Sequence, residues 1–419
     1  MSGPEGPIIV IGAGAAGLMA AIFATTSGRP VILLEKTKDG GRKIIISGGG
    51  RCNVLPSRLS PRQYITASSP NTLRNMLLSW PLPSQQKFFE HDLGVPLALE
   101  QASGKLFPAS NRARDVRDAL VNEARRRGVD IRFDTSARDI VAAGVNRWTV
   151  ALADGPDISA ESVIVATGGL SVPATGSDGT GLRILERLGH TVNDTYPALT
   201  PLTADPPRHA SLAGVSLDVR LTAPLMKGRF DAEGGFLFTH RGYSGPAVLN
   251  ISHVAVRSRT EGHRLQPVLV QWTDKDADEW DAMLREGGSG QIGPLLRKHL
   301  PARLADLLIE EATVDPQRTL AELRREERAR LVAALARYPL PWTGDEGYRK
   351  AEVTGGGIAL GEFDPRTLES RVHHGLFVCG EALDAFGPIG GYNFAWAWAT
   401  GRAAGLGAAR GAQATSPDD

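Results

Sequence analysis

Cysteine is scarce. Cys52 and Cys379 are the only two in 419 residues and lie 327 positions apart. That excludes a disulfide framework and a thiolate metal site, and makes a reducing, cytoplasmic setting the simplest expectation. An excess of one charge is also missing. Lys+Arg number 47 against 46 Asp+Glu, which excludes a general electrostatic nucleic-acid binder but leaves a local patch open. The 48 glycines and 27 prolines stay below the level of a disordered chain. There is no fixed-period repeat, and only the tail 411–419 reads as disordered. A membrane segment is not expected either. Residues 6–28 carry no charge, but Glu5 stands where a leader peptide would be positive, and Gly12, Gly14 and Gly17 break the run. What remains is a chain long enough for two or three domains.

The opening carries the strongest local signal. Pro7-IIVIG reads as a strand buried on both faces of a parallel sheet. Gly12-AGAAG-Gly17 follows, then a helical pattern, then a second buried strand, Val31-ILLE, ending in Glu35. In this context the glycines have separate tasks. Gly12 permits the tight turn, Gly14 lets backbone approach a pyrophosphate, and Gly17 lets helix and strand pack closely. The helix N-terminus offers N–H groups and a positive dipole end to phosphate, and Glu35 can accept from a ribose diol. Dinucleotide binding is the reading. The same spacing in Gly288-SGQI-Gly293 follows a charged helical segment and reads as a loop.

Residues 40–89 hold Arg42, Lys43, Arg51, Arg58, Arg62, Arg74 and Lys87 and no acid. Within them, Gly48, Gly49 and Gly50 suggest backbone close to a ligand, with Ser47 and Asn53 as hydrogen-bonding groups. A flexible loop with scattered arginines is the alternative. Further strands are expected around Val129-DIRF, Trp148-TVALA and Ser162-VIVA, the last running into Thr167-GG. Residues 112–128 read as a solvated arginine-rich helix. From Pro197 the texture becomes antiparallel (Val215-SLDVRLT, Gly235-FLFTH, Val268-LVQW), then helical over 275–338. From about Lys350 α/β texture returns, with Gly375-LFVCGE as a strand and a glycine turn before a helix whose Ala395, Ala399 and Ala403 form a smooth strip. The expected fold class is α/β. A discontinuous Rossmann-like dinucleotide-binding domain (1–195 and 343–410) would carry a β-barrel-like insert (196–273 with 338–342) and a helical subdomain (274–337).

The ordered set GAGAAG, GRKxxxSGGGRCN (41–53), VIVATGG (163–169), FTHRGYSGP (238–246), KAEVTGGG (350–357) and GE–LD–GPIGGYNFAWAWATG (380–401) spans nearly the whole chain. It resembles the BaiN-type, aminoacetone-oxidase-like family of bacterial FAD-dependent oxidoreductases. The resemblance implies FAD as cofactor and a glutathione-reductase-type fold with a barrel and a helical insert. It implies that Gly12, Gly14, Ala15, Ala16 and Gly17 hold the pyrophosphate, and that Glu35 with Lys36 lies at the adenosine ribose. Arg42, Lys43, Ser47, Gly48, Gly49, Gly50, Arg51, Cys52 and Asn53 would border the flavin and its phosphates. Ala137 would offer backbone to the adenine. Ala166, Thr167 and Gly168 would lie where the central strand meets the cofactor, and Gly380 and Glu381 by the ribityl chain. Gly391, Tyr392, Asn393 and Phe394 would meet the pyrimidine edge of the isoalloxazine, where a helix N-terminus stabilises the negative charge of reduced flavin.

The sequence dictates no catalytic acid or base. His240 and Tyr243 are the proton-donor candidates if the insert covers the flavin, and a structural turn is the alternative. Lys350 is either a further positive group or a surface residue. Without a partner thiol, Cys52 does not support a dithiol mechanism. Cys379 reads as core, and His373-His374 as surface with no metal. The leading expectation is a reductase of an activated C=C bond taking electrons from NAD(P)H that docks transiently. Its substrate would be a small-molecule enone or a ribosomal RNA uridine, with no stable protein partner implied. An FAD-dependent amine oxidase using dioxygen and a non-catalytic flavin sensor are the alternatives.

Overall fold

The structure, a computed structural model, describes residues 6–144, 147–225, 227–260, 265–286 and 288–410; the tail read as disordered lies outside them. The chain divides into two compact units, one reaching to Thr195 and resuming at Val353, the other Tyr196–Glu352.

The β-branched runs of the first unit form a parallel sheet of β1 (Ile8–Ile11), β2 (Val31–Leu34), β3 (Asp130–Arg132), β4 (Ser162–Val165) and β5 (Leu376–Val378), in the order β5-β4-β1-β2-β3. Every residue of β1 is buried, as a strand covered on both faces must be. From β1 the chain winds outward through β2 to β3, then returns to the other side of β1 with β4. The carboxyl ends of β1 and β4 therefore form the topological switch point, where open α/β sheets bind ligands.

Helix α1 (Ala15–Ala24) follows β1 directly, and the helix after the last glycine turn runs Tyr392–Arg410. Helices α2 (Arg42–Ile46) and α3 (Pro70–Leu77) are two of those between them in sequence, and the Tyr392–Arg410 helix is labelled α4. The Ala395, Ala399 and Ala403 strip is buried. The closest approach to α1 is made elsewhere: a Cβ on Gly401 or Gly405 would lie 2.4 and 2.3 Å from the carbonyl oxygens of Ala16 and Ala20. Backbone-to-backbone packing therefore fixes α4 along α1. A three-stranded meander (Ala137–Gly144, Arg147–Leu152, Ile158–Ala160) completes the nucleotide-binding pattern, with Ala137 opposite Leu152.

In the second unit seven strands pair antiparallel in the order Tyr338–Pro339, Leu269–Gln271, Ser216–Pro224, Arg229–Phe238, Gly242–Ser244, Leu202–Thr203, Gly344–Asp345. Helices Ala277–Glu286, Ala302–Glu311 and Arg325–Ala336 share its core: Phe236, Trp272, Trp280, Leu304 and Leu331 belong to one buried cluster. The division also falls later than the expected residue 343. Gly344–Asp345 pairs with Leu202–Thr203, so residues 343–352 belong to this second unit. The glycine-spaced segment at 288–293 is a turn leading into the short helix Ile292–Leu296.

Candidate flavin site

At the switch point the β1–α1 turn is as tight as its glycines require. A Cβ on Gly17 would sit 1.8 Å from the carbonyl oxygen of Gly12, and one on Gly12 would sit 2.6 Å from that of Ala166 at the end of β4. Nothing lies within 4 Å of where a Gly14 Cβ would stand. Gly14 caps α1 without a side-chain hydrogen bond, and no acid occupies the first turn. A positive helix end thus faces open space. Glu35, buried at the end of β2, braces the turn: its carboxylate accepts from the Ala13 N–H (2.8 Å), the Thr37 N–H (2.9 Å) and the Thr37 hydroxyl (2.7 Å). A carboxylate has about four lone-pair sites, so one remains for a further donor. The Thr135 N–H donates to the Glu35 carbonyl at 2.9 Å, which brings the start of the meander, and Ala137 with it, beside this turn. Lys36 pairs with Asp178 at 2.7 Å.

A polar network closes the neighbouring side. Lys43 on α2 donates to Glu381 at 2.5 Å and to Ser171 at 2.7 Å, and Ser171 donates to Glu381 at 2.5 Å. Glu381 also accepts from the Thr354 N–H and hydroxyl, and that hydroxyl accepts from the Leu170 and Ser171 N–H groups. Four separated segments meet there: α2, the turn after β4 that holds Thr167 and Gly168, the VTGGG strand and the turn after β5. Ala16 lies against Gly380, 2.7 Å from where its Cβ would be. Ser171 and Thr354 were not foreseen, although Thr354 stands inside the 350–357 motif and Ser171 two residues past the 163–169 motif.

The segment after α2 turns through Gly48, Gly49 and Gly50 with φ of 56, 67 and 86°, and Gly49 and Gly50 are exposed with no neighbour within 4 Å of a would-be Cβ. Beneath it lies Asn53, whose Oδ1 is buried and without a hydrogen-bond partner among the described residues. Such an atom costs roughly 1–3 kcal/mol unless something meets it. The start of α4 is held from several sides. The buried Tyr64 phenol donates to the Tyr392 carbonyl at 2.6 Å, and the Gln63 amide donates to the Tyr392 phenol at 3.1 Å. Asn393 grips its own loop, accepting from the Gly387 N–H at 2.8 Å and donating to the Gly387 carbonyl at 3.0 Å. Phe394 stacks on Trp398, whose indole N–H donates to the Val54 carbonyl at 3.0 Å. Asp384, also unforeseen, ties residues 66–68 to the turn after β5: it accepts from Thr66, Ala67, Ser68 and Asn193. Burial holds its pKa above the usual carboxylate range despite those donors.

Other expected residues are engaged differently. Arg42 pairs with Asp39 at 2.7 Å, and Arg51 pairs with Glu100 at 3.0 Å while lying 4.0 Å over the Phe107 ring. Ser47 donates to the Ile44 carbonyl at 2.8 Å. The Cys52 side chain is fully buried, and burial pushes its thiol up to about 12, so it is no thiolate at neutral pH. Cys379 is core. In the second unit Tyr243 is fully buried. Its phenol meets His209 Nδ1 at 3.0 Å, and His209 Nε2 meets the Tyr338 phenol at 3.0 Å, which donates to Glu311 at 2.6 Å. Burial pushes the Tyr243 pKa up, with the Glu311 charge adding to it. Tyr243 is therefore a core residue rather than a proton donor to a ligand. His240 and Lys350 are exposed. Of the His373-His374 pair only His374 is exposed; His373 is half-buried, donating to the Leu188 carbonyl at 2.6 Å. No helix among the described residues is long and apolar enough to cross a membrane.

Residues 6–407 match the HI0933-like protein Rossmann domain. The chain is 34% identical to a ribosomal RNA dihydrouridine synthase of Escherichia coli, over 94% of this chain and 95% of that protein. It is 31% identical to a 3-dehydro-bile acid delta(4,6)-reductase of Clostridium scindens, over 96% and 98%. In fold it is similar to the 3-ketosteroid delta1-dehydrogenase of Sterolibacterium denitrificans, with a TM-score of 0.53 and 12% identity over 97% of this chain and 99% of that one. With a doubly wound sheet and an uncapped glycine turn at its switch point, the chain belongs to the HI0933-like family and is an FAD-dependent oxidoreductase.

Proposed function

We propose that this protein reduces a carbon–carbon double bond conjugated to a carbonyl, in a small enone or in the uracil ring of a ribosomal RNA uridine. NAD(P)H is the proposed transient donor and the cytoplasm the proposed setting. Two relatives named for reactions of this kind support the reading. The observation that carries it is the uncapped α1 N-terminus facing open space at Gly14, with a buried, partnerless Asn53 Oδ1 beneath the Gly48 turn as a second unmet group.

Those groups fit FAD. When bound, it supplies the hydride chemistry. The N–H groups of Gly14, Ala15 and Ala16 would hold its pyrophosphate, and the remaining lone pair of Glu35 its ribose. A charge on Glu35 disfavours a 2′-phosphate there. The Lys43–Glu381 network would fix the turns around the ribityl chain, and Asn53 Oδ1 would accept a hydrogen bond from the cofactor. The first turn of α4, pinned by Tyr64 and free of acids, would favour negative charge at the pyrimidine edge.

Anaerobic mixing of the holoenzyme with NADPH and NADH tests the reading. The visible flavin absorbance should bleach with at least one and recover on adding an enone or RNA. A flavin that stays oxidised with both donors overturns it. Recovery only in air, with stoichiometric peroxide, assigns an oxidase instead.

A further inference from the structure

The acid-free stretch 40–89 splits into two groups of basic residues. Arg42, Lys43 and Arg51 are paired with Asp39, Glu381 and Glu100. Arg58, Arg62, Arg74 and Lys87 are exposed, and none forms an ion pair among the described residues. The unmatched charge of this segment therefore faces solvent.

Arg74 opens onto a concave pocket of about 580 Å³ that Arg366, Arg402 and Arg410 also line, together with Asn75 and Ser79. No acid lines it. Asp364, the nearest in sequence to Arg366, turns its carboxylate to the backbone N–H groups of Arg366 and Thr367. This is a local property of the surface: a second cavity of the same unit, about 550 Å³, is lined by Asp92, Asp115, Asp118 and Glu123 with Arg126 as its one base. The Arg402 guanidinium is half-buried, 5.3 Å over the Phe23 and Trp80 rings. The other three share the concavity with no counter-charge among the described residues and repel one another, and an anion with several acceptor oxygens relieves that repulsion. Planar guanidinium forks match phosphate oxygens two at a time, and the Asn75 amide adds a neutral donor, while the Ser79 hydroxyl donates to the Met76 carbonyl at 2.7 Å.

The position selects a polymer. Arg402 and Arg410 lie in the second half of α4, and α3, which carries Arg74, packs against α4. Arg62 belongs to the turn Pro61–Gln63, whose Gln63 bonds Tyr392 at the opposite end of the same helix. Unmatched arginines thus accompany α4 from its first turn to its last, about 28 Å for 19 residues. A single nucleotide at the first turn does not reach the pocket; a strand does. A flat lipid surface does not enter a concavity.

We propose that this pocket and the arginines beside α4 bind the phosphate backbone of RNA, anchoring the strand that presents its base at the α4 N-terminus. The proposal rests on the reading of uridine as the group reduced. The test uses holoenzyme and a fluorescein-labelled single-stranded RNA of ribosomal sequence, followed by anisotropy across a salt series. Arg74→Glu/Arg366→Glu/Arg410→Glu should weaken binding at least ~10-fold and flatten the salt dependence by about two phosphate contacts, while flavin content and bleaching by NAD(P)H stay unchanged. The triple lysine variant, keeping charge without the fork, should recover most of the salt slope but only part of the affinity. Unchanged affinity and slope in the glutamate variant overturn the proposal. So does a loss confined to phosphatidylglycerol vesicles, which makes the pocket a membrane contact. If wild type binds RNA through these arginines yet forms no dihydrouridine, the pocket stands and the uridine reading falls.

Discussion

Each of the two units contains a buried polar network, and the contrast between them separates chemistry from architecture. In the second unit His209, Tyr243, Tyr338 and Glu311 answer one another: both imidazole nitrogens and both phenols have partners, amid Phe238 and Trp272. In the first, Lys43, Ser171, Thr354 and Glu381 are satisfied, but the surrounding turns leave an uncapped helix end and Asn53 Oδ1 unmet. The second network contains the residues that look catalytic in a list. The first contains the ones with capacity left over. A histidine and two tyrosines in contact are a core if they exhaust each other, and unmet N–H groups facing open space, with an unmet acceptor near a glycine turn, mark a candidate binding site.

The contrast breaks most visibly at the glycine turn. Gly17→Ala would drive a Cβ to 1.8 Å from the Gly12 carbonyl oxygen, and overpacking against backbone should cost about 3 kcal/mol or more. The expected outcome is a protein purified without flavin absorbance and with a lowered melting temperature. A yellow, fully stable Gly17→Ala protein would show that the turn is not the cofactor's seat.

A smaller effect is expected in the second unit. Tyr243→Phe strands His209 Nδ1 in the core, at a cost of about 1–3 kcal/mol in stability. Because that network is closed, kcat/KM should stay within about twofold of wild type. A tenfold fall in kcat/KM at retained stability would mean that Tyr243 serves the reaction and that the two networks are not of different kinds.

These contrasts also mark where the sequence was legible. Strand, glycine turn and helix were readable at 7–35 because steric demands confine the choice: nothing larger than glycine fits between β1, β4 and α1. The antiparallel and helical textures of 197–338 were readable from their periodicities. The residue-343 boundary was not, because a two-residue strand, Gly344–Asp345, has no periodicity to read. Nor were the partners of the basic residues. Arg42, Arg51 and Arg74 look alike in a string, and only the fold gives two of them a carboxylate. Tyr64 carried no motif at all, and Asp384 stood inside the 380–401 motif with no role to read from it; both roles arise from segments more than 300 residues apart meeting at one turn.

The finest test concerns Asn53, because there stability and affinity should part. Its Oδ1 makes no hydrogen bond within the described residues, so Asn53→Ala removes an unmet buried acceptor rather than a stabilising bond, and the flavin-free protein should melt no lower than wild type. The holoenzyme should instead lose about one hydrogen bond to the cofactor, roughly a tenfold weaker FAD affinity, measured by flavin fluorescence on titration. Tyr243→Phe predicts the opposite pattern, stability lost with function kept. If Asn53→Ala lowers the apo melting temperature and leaves FAD affinity unchanged, the open network is as structural as the closed one, and the site must be sought from the remaining unmet groups.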